Sequence, residues 1–421
     1  MSEYPLNTGM HAHRSIKRFL FIISDTGGGH RASANAVKDA MHQLYELDIA
    51  IDIAIDIAID IAIDIVDIFV EMDRWPFHHF PSWYPYCVSM NAIPWAVGYH
   101  LSNRVRLMKA MSRMVWPYAR NALCEVLRQH PADAIISFHP IPCYSLQMAI
   151  QYLGWEIPVA NVAVDLVTAH ASWFIPGADL YMVPTEAAQD RAIRWGIPKD
   201  QVVVTGMPTR HCFTDAMGLS QADARLKLGL PPEKTVILIT GGGEGMGPLS
   251  QVVKAIAQTE IEAHIIVIAG RNQSLLEELN NTDFPIPVHI KGFVDNMDVW
   301  MRAADILVTK AGPNTLSEAF ISGLPIVMYT ALPGQEEGNV SYVVNNGAGL
   351  WAPQPALTAK AVRHLINNPD IKQRMAANSH ALARPYASQE IARNLWALVK
   401  AQSQNNNQKP KPAHQDSQVT H

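Results

Sequence analysis

Twice in this chain a short apolar run ends at a cluster of glycines and then passes into a helix-forming segment. Phe19–Ser24 leads to Gly27–Gly29 and the run from Arg31 to Leu44; Val236–Thr240 leads to Gly241–Gly243 and a helix near Pro248–Gln258. Buried strand, glycine turn and helix in that order form the opening unit of a parallel sheet with helices on both faces. Ala134–Phe138, Val159–Val164, Tyr181–Val183 and Val202–Val204 supply further strands after the first unit, and Ile265–Ala269, Ile306–Thr309 and Pro325–Met328 after the second. Because the pattern restarts midway, the chain is predicted to be α/β, with two doubly wound, Rossmann-like halves facing a cleft. The expected divisions are a flexible N-terminus over 1–18, a first domain over 19–206, a second over 207–400 and a tail over 401–421, with the joint around Gly206 to Pro232.

A length of 421 residues exceeds what one core supports, and 48% hydrophobic against 17% charged residues is enough to fill two. The formal charge of −5 excludes a global attraction to nucleic acid and confines any docking on an anionic membrane to a local patch. Cys87, Cys124, Cys143 and Cys212 are scattered, without the spacing of metal ligands, which suits a reducing cytosol. The apolar run after Arg18 is too short for a signal sequence or a membrane span. From Gln402 onward the chain is polar, cannot offset its ordering entropy by burial, and is expected to be disordered.

From Asp48 the unit Asp-Ile-Ala-Ile recurs four times, over residues 48–63, and runs into Asp64-Ile65-Val66-Asp67-Ile68-Phe69. Isoleucine at every second place is strand periodicity, yet the run far exceeds an ordinary strand and its identical units specify register poorly. It reads as a tandem expansion in the loop and strand after the first helix. The last units and Ile65–Phe69 supply the strand, and the evenly spaced Asp form a solvated face that discourages aggregation rather than a metal array.

Ser24-Asp25-Thr26-Gly27-Gly28-Gly29-His30 lies where a strand meets a helix N-terminus, a place that favours negative charge and disfavours a protonated histidine. His30 is therefore expected to be neutral and to act as general base, with Asp25 either the base itself or the group that orients His30. The glycines match neither a dinucleotide fingerprint nor a Walker loop. The second turn, Gly241-Gly242-Gly243-Glu244-Gly245-Met246-Gly247, repeats the arrangement, so two glycine loops across a cleft can hold a diphosphate. Between Thr309 and Asn339 carboxylates and amides gather, with Glu318 on the second turn of a helix that starts after Gly312-Pro313; such groups bind ribose and hexose hydroxyls.

Together with Asp165-Leu166, Thr168, His170, Trp173-Phe174, Gly270-Arg271-Asn272, Lys291-Gly292-Phe293 and Tyr342–Gly349, these motifs occur in an order that resembles the monogalactosyldiacylglycerol synthases and their diacylglycerol glucosyltransferase relatives, distantly similar to MurG. The resemblance runs from about Phe19 to the region of Trp351. It implies a GT-B fold and inverting transfer of a hexose, galactose first, from a UDP-hexose to diacylglycerol, with no cofactor and no catalytic metal. It also implies uracil near Phe293, ribose on Glu318, the diphosphate against Gly242, Gly243, Glu244 and Gly245, and the hexose on Gln335 and Glu336. Gly312, Pro313, Thr315 and Asn339 complete the implied donor site, and Gly28, Gly29, Asp165, His170 and Trp173 the acceptor side. Two features depart from the family: the repeat itself, and Asn314 where its Gly-Pro-Gly-Thr motif has glycine. UDP-glucose as donor, another lipid-linked acceptor, and a sugar-nucleotide sensor without turnover remain open readings.

Between Met72 and Arg120 lie Trp75, Phe77, Phe80, Trp83, Tyr84, Tyr86, Trp95, Tyr99, Trp116 and Tyr118, interspersed with Arg74, Arg104, Arg106, Lys109, Arg113 and Arg120. Amphipathic aromatics beside basic side chains suit the headgroup zone of an anionic membrane. Trp83, Trp95, Arg104 and Arg106 are the expected contacts, on a cytoplasmic protein held peripherally at the inner face of a bacterial membrane.

Overall fold

The computed structural model describes residues 16–26, 28–51, 60–83 and 92–408. Two six-stranded, wholly parallel sheets form. The first runs β2-β1-β3-β4-β5-β6, made of β1 (Ile16–Ile23), β2 (Asp60–Asp67), β3 (Ala134–Ser137), β4 (Val159–Val162), β5 (Leu180–Val183) and β6 (Val202–Val204). The second runs β12-β11-β10-β7-β8-β9, made of β7 (Thr235–Thr240), β8 (Ala263–Ile268), β9 (Val288–Lys291), β10 (Ile306–Lys310), β11 (Ile326–Thr330) and β12 (Gly349–Trp351). The chain leaves each sheet's first strand toward one edge and later returns to its other side, so crevices open at the carboxyl ends between β1 and β3 and between β7 and β10. Those crevices hold the glycine turns.

The apolar runs became strands because they are buried on both faces: Phe19–Ile23, Ile237–Ile239 and Ile306–Val308 are all inaccessible to solvent. The repeat divides differently from its expected reading. Its first unit, Asp48–Ile51, continues the helix Gly29–Ile51, residues 52–59 lie outside the described residues, and β2 begins at Asp60. β2 pairs in register with β1, Phe19 opposite Ile63 and Ile23 opposite Asp67, and stops there. Ile68 and Phe69 are not strand but the start of a short helix, Ile68–Glu71, because Asp67 Oδ1 accepts the N–H groups of Phe69 (3.0 Å) and Val70 (3.4 Å).

The end of the chain also departs from expectation. Ala387–Gln408 is one helix, so residues 402–408 are ordered, and residues 409–421 lie outside the described residues. Ile391, Ala392, Leu395, Trp396 and Val399 join the core of the first sheet, with the Trp396 and Tyr45 rings 4.6 Å apart. The second unit thus ends before this helix, and the last helix of the chain completes the first unit. Each fully buried apolar side chain contributes about 1.5–3 kcal/mol, which outweighs the polar character of the helix's far end. Gln402 Nε2 donates to the Glu156 carbonyl (3.0 Å) and Lys17 Nζ to Ser403 Oγ (3.4 Å). The two crossings lie side by side, since the Thr209 N–H donates to Ser388 Oγ (3.1 Å) and that hydroxyl donates back to the Thr209 carbonyl (2.7 Å).

Candidate active site

In the first unit, β1 delivers the chain to Asp25, whose N–H is held by Asp67 Oδ2 at 2.8 Å. Asp67 therefore fixes both the glycine turn and the helix after β2. Burial pushes its carboxyl above the usual range, while the N–H groups of Asp25, Phe69 and Val70 oppose that rise. The Asp25 carboxylate is exposed and forms a two-pronged pair with Arg31, Nε at 2.8 Å and Nη2 at 2.7 Å. It does not orient His30, which corrects that alternative.

His30, on the first turn of the helix Gly29–Ile51, is oriented by the backbone following β3: its Nδ1 lies 2.6 Å from the Phe138 carbonyl. A carbonyl can only accept, so Nδ1 carries the proton and Nε2 keeps the lone pair. Burial lowers the pKa of His30, opposed first by the charge of Asp165 and then by the Phe138 carbonyl, Asp25 and Asp67. The His139 ring meets it edge-on at 4.6 Å. His139 is driven down further, by burial and then by His30; its Nδ1 accepts the Ile141 N–H (3.4 Å), which directs Nε2–H to Thr26 Oγ1 (3.4 Å).

Asp165 links the two halves. It is buried, with Oδ2 accepting from Trp173 Nε1 (2.8 Å) and Oδ1 from Gln335 Nε2 (3.0 Å) of the other half. Burial raises its pKa, and the two donors hold it down. Thr168 Oγ1 donates to the Gln335 carbonyl, and Tyr99 reaches from the helix Ala92–Ser102 to donate to the Thr168 carbonyl at 2.7 Å.

Two expected acceptor or membrane residues are corrected here. Trp173 is 0% exposed and serves Asp165. His170 has both ring nitrogens engaged inside the protein, Nδ1 with Ser172 Oγ (2.8 Å) and Nε2 with Ser102 Oγ (3.2 Å), and burial takes its pKa to about 4.

In the second unit the glycine turn after β7 folds on itself, Met246 N–H to the Gly241 carbonyl at 3.0 Å. Gly245 has φ +57, and a Cβ there would lie 2.3 Å from the Ala269 carbonyl oxygen, so only glycine fits. Glu244 pairs with Arg271 (3.0 Å), and the Arg271 guanidinium lies 4.3 Å from the centre of the Phe293 ring, which is 51% exposed. Arg271, part of the motif Gly270-Arg271-Asn272, thus joins the turn after β7 to the ring expected to receive uracil. The two glycine turns face each other: a Cβ on Gly28 would lie 3.7 Å from Arg271 Nη1 and 3.8 Å from Glu244 Oε1. Asn314 spans the same gap, Nδ2 donating to the Gly29 carbonyl at 3.5 Å. The family departure at this position thus becomes a contact between the halves, beside His30.

Gly312 caps the helix Pro313–Ser322, with Pro313 in its first turn and Thr315 following, and carries Glu318 on the second turn. Burial lifts the Glu318 carboxyl to about 7, with Arg210 opposing and Asp298 adding to the rise. Asn339 is buried and ties the loop after β10, Nδ2 donating to the Ala311 carbonyl at 2.9 Å. Glu336 is also buried, with Oε1 on Lys310 and Oε2 accepting the Leu332 N–H (2.9 Å). Its two oxygens are engaged within the protein, unlike those of a carboxylate left open for a sugar.

Beside this cleft, the helices Ala92–Ser102 and Val105–Gln129 leave Val97, Leu101, Leu107, Met111, Met114 and Tyr118 exposed, with Arg104 and Arg106 exposed at their junction. Trp83 is exposed, Trp95 half-buried, and Tyr84 and Tyr86 lie outside the described residues. Among the described residues no helix is long and apolar enough to cross a membrane, and no group of three or more His, Cys, Asp or Glu is arranged to hold a metal ion.

This fold has counterparts among solved structures. An S. aureus MnaA–UDP co-structure superposes with a TM-score of 0.60 at 14% identity, covering 91% of this chain and 97% of that one. MurG from Acinetobacter baumannii superposes at 0.54 and 17% identity, covering 90% and 99%. The architecture is GT-B. Residues 30–209 match the family description "Monogalactosyldiacylglycerol (MGDG) synthase" and residues 236–391 the "Glycosyltransferase family 28 C-terminal domain". "Probable monogalactosyldiacylglycerol synthase 2, chloroplastic" of Oryza sativa subsp. japonica is 34% identical over 91% of this chain and 81% of its own length. "Monogalactosyldiacylglycerol synthase 3, chloroplastic" of Arabidopsis thaliana is 33% identical over 92% and 82%. Both are chloroplast proteins, so the family does not single out a bacterial membrane. With the glycine turns, His30 and the polar loop after β11 standing in one cleft of this fold, the chain belongs to the monogalactosyldiacylglycerol synthase family.

Proposed function

We propose that this chain transfers galactose from UDP-galactose to the free hydroxyl of 1,2-diacylglycerol, in one displacement with inversion at the anomeric carbon. The observation that carries this reading is the fixed tautomer of His30, with Nδ1–H committed to the Phe138 carbonyl and Nε2 basic beside the meeting glycine turns. In this reading the acceptor hydroxyl gives its proton to Nε2 as its oxygen attacks the anomeric carbon, and the bond from that carbon to the β-phosphate oxygen breaks. The nearby charge of Asp165 steadies the imidazolium formed. Uracil lies at Phe293, ribose at Glu318, the diphosphate at the turn Gly241–Gly247, and the hexose against the loop carrying Gln335. Protein groups meet the charge growing on UDP, and no cofactor takes part.

Diacylglycerol lies in a bilayer, so its hydroxyl must be met at the surface. The exposed apolar side chains of the two helices after residue 92, with Arg104 and Arg106 between them, form the face we assign to an anionic membrane. Vesicles containing diacylglycerol, incubated with labelled UDP-galactose or UDP-glucose, should yield a β-linked monogalactosyl lipid. A glucosyl product, or no product without another lipid acceptor, would overturn the donor or the acceptor respectively.

A further inference from the structure

In the second sheet the crevice opens between β7 and β10, and β10 ends in Lys310. A Cβ placed on Gly312 would lie 2.9 Å from Lys310 Nζ, and one on Gly242 would lie 3.6 Å from Lys310 Cε. The lysine stem thus runs along the gap between the turn after β7 and the helix start after β10, and the absence of side chains at both glycines leaves its ammonium room. Its side chain is 18% exposed and its partner Glu336 6%. Burying an ion pair is costly, and a hydrophobic pair of the same shape often serves stability as well. Glu336 also holds the Leu332 N–H, so the carboxylate is fixed by the loop after β11 and the lysine is fixed by the carboxylate. The result is a cation held beside the turn after β7 and the start of the helix after β10, and a helix N-terminus favours anions.

We propose that Lys310 is the catalytic cation for the nucleotide diphosphate, and that Glu336 is a positioning residue that aims it rather than a ligand of the hexose. This deepens the reading above and rests on it. As the bond between the anomeric carbon and the β-phosphate oxygen breaks, its electron pair stays on that oxygen. Lys310 remains protonated and faces the new charge, while the acceptor proton goes to His30. An interaction that strengthens as charge develops favours the transition state over bound donor.

The test is a binding ladder of uridine, UMP and UDP, measured by calorimetry on the full chain, beside turnover. In the wild type affinity should rise from uridine to UDP. Lys310→Met should leave uridine binding unchanged and lower UDP affinity at least ~10-fold, in keeping with the loss of a charged hydrogen bond. Its kcat should fall ~10²-fold or more while the donor KM rises less, and Lys310→Arg should recover most of the step from uridine to UDP. Because Lys310→Met strands a buried carboxylate, the double variant Lys310→Met with Glu336→Gln is measured as well; it should show the same loss with the charge removed from both partners. A pair serving only the fold would lower Tm and leave the ratio of UDP to uridine affinity untouched, and that outcome overturns the assignment of Lys310. Failure of the wild type to bind any of the three overturns the nucleotide reading itself, and this assignment with it.

Discussion

Replacing His30 with glutamine tests the chemistry most directly. The amide can still donate to the Phe138 carbonyl, as Nδ1 does over 2.6 Å, so the shape and anchoring of the site survive while the basic nitrogen is lost. General-base catalysis contributes about 10²–10⁴-fold, or about 3–5 kcal/mol of barrier, and turnover should fall by that amount with UDP affinity little changed. The pH profile fixes the sign. Burial holds the pKa of His30 below its usual 6.5, so the base is already neutral at pH 7. The rate should therefore be level above about 6.5 and decline only as pH drops through the lowered value, and this acid limb should vanish in the variant. Asp165→Asn removes the largest influence raising that pKa, so its acid limb should move to still lower pH while its plateau rate falls. The assay is initial-rate hexose transfer to vesicle diacylglycerol from pH 4.5 to 8.5, with folding checked by near-ultraviolet circular dichroism. If His30→Gln turned over within threefold of wild type while Asp25→Asn was inactive, Asp25 would be the base, despite its pair with Arg31, and the reasoning would be refuted.

Glu318 has a carboxyl lifted to about 7, so if its ionised form binds the ribose, uridine affinity should rise as pH increases through 7 in the wild type and be flat in Glu318→Gln. Uridine serves because it has no phosphates to titrate; a flat wild-type curve would remove Glu318 from the ribose. Deleting residues 56–59, one whole Asp-Ile-Ala-Ile unit, leaves residues 52–55 to connect the helix that ends at Ile51 with β2, with the strand parity intact. Halving a loop changes closure entropy by only about 0.6 kcal/mol, so soluble yield and Tm should barely move, and insolubility would show that the repeat is structural. Arg104→Glu with Arg106→Glu should weaken sedimentation with anionic vesicles, as should Leu107→Ser with Met114→Ser. High salt should mimic the first pair only, because screening acts on exposed charge over about 8 Å, and unchanged sedimentation in both would move the membrane face elsewhere.

The central strands could be read from the sequence because burial on both faces demands unbroken apolar runs, as in Phe19–Ile23 and Val236–Ile239. β9 and β12 could not. Both are edge strands; Val288-His289-Ile290-Lys291 alternates half-buried with exposed over four residues, and Gly349–Trp351 is too short to show a period. Asp67 is hard to tell from the evenly spaced aspartates before it, although its spacing carries a signal. Asp60 and Asp64 are four apart and share a face, whereas Asp67 follows at three and falls on the isoleucine side, where a carboxylate needs partners. For Trp173, His170 and Glu336, sequence motifs located the right neighbourhood without saying which side chains face the cleft and which brace those that do. That difference is tertiary: an indole N–H directed at Asp165 and a carboxylate directed at Lys310 read the same in a sequence as ligands would. The helix at the chain's end showed helical spacing of Ile391, Leu395 and Val399, but periodicity does not say which core an apolar face will meet.

That last helix gives the molecule an order of assembly. On a ribosome the first sheet emerges complete at β6, but Tyr45 and its apolar neighbours have no cover until the whole second sheet has been made and residues 387–408 appear. A domain that usually folds as it is synthesised must here wait for the final segment, with a groove open to chaperones or to the wrong partner in the meantime. A stop codon before residue 387 would therefore leave the second sheet with its strands intact and leave unfinished the half that was synthesised first.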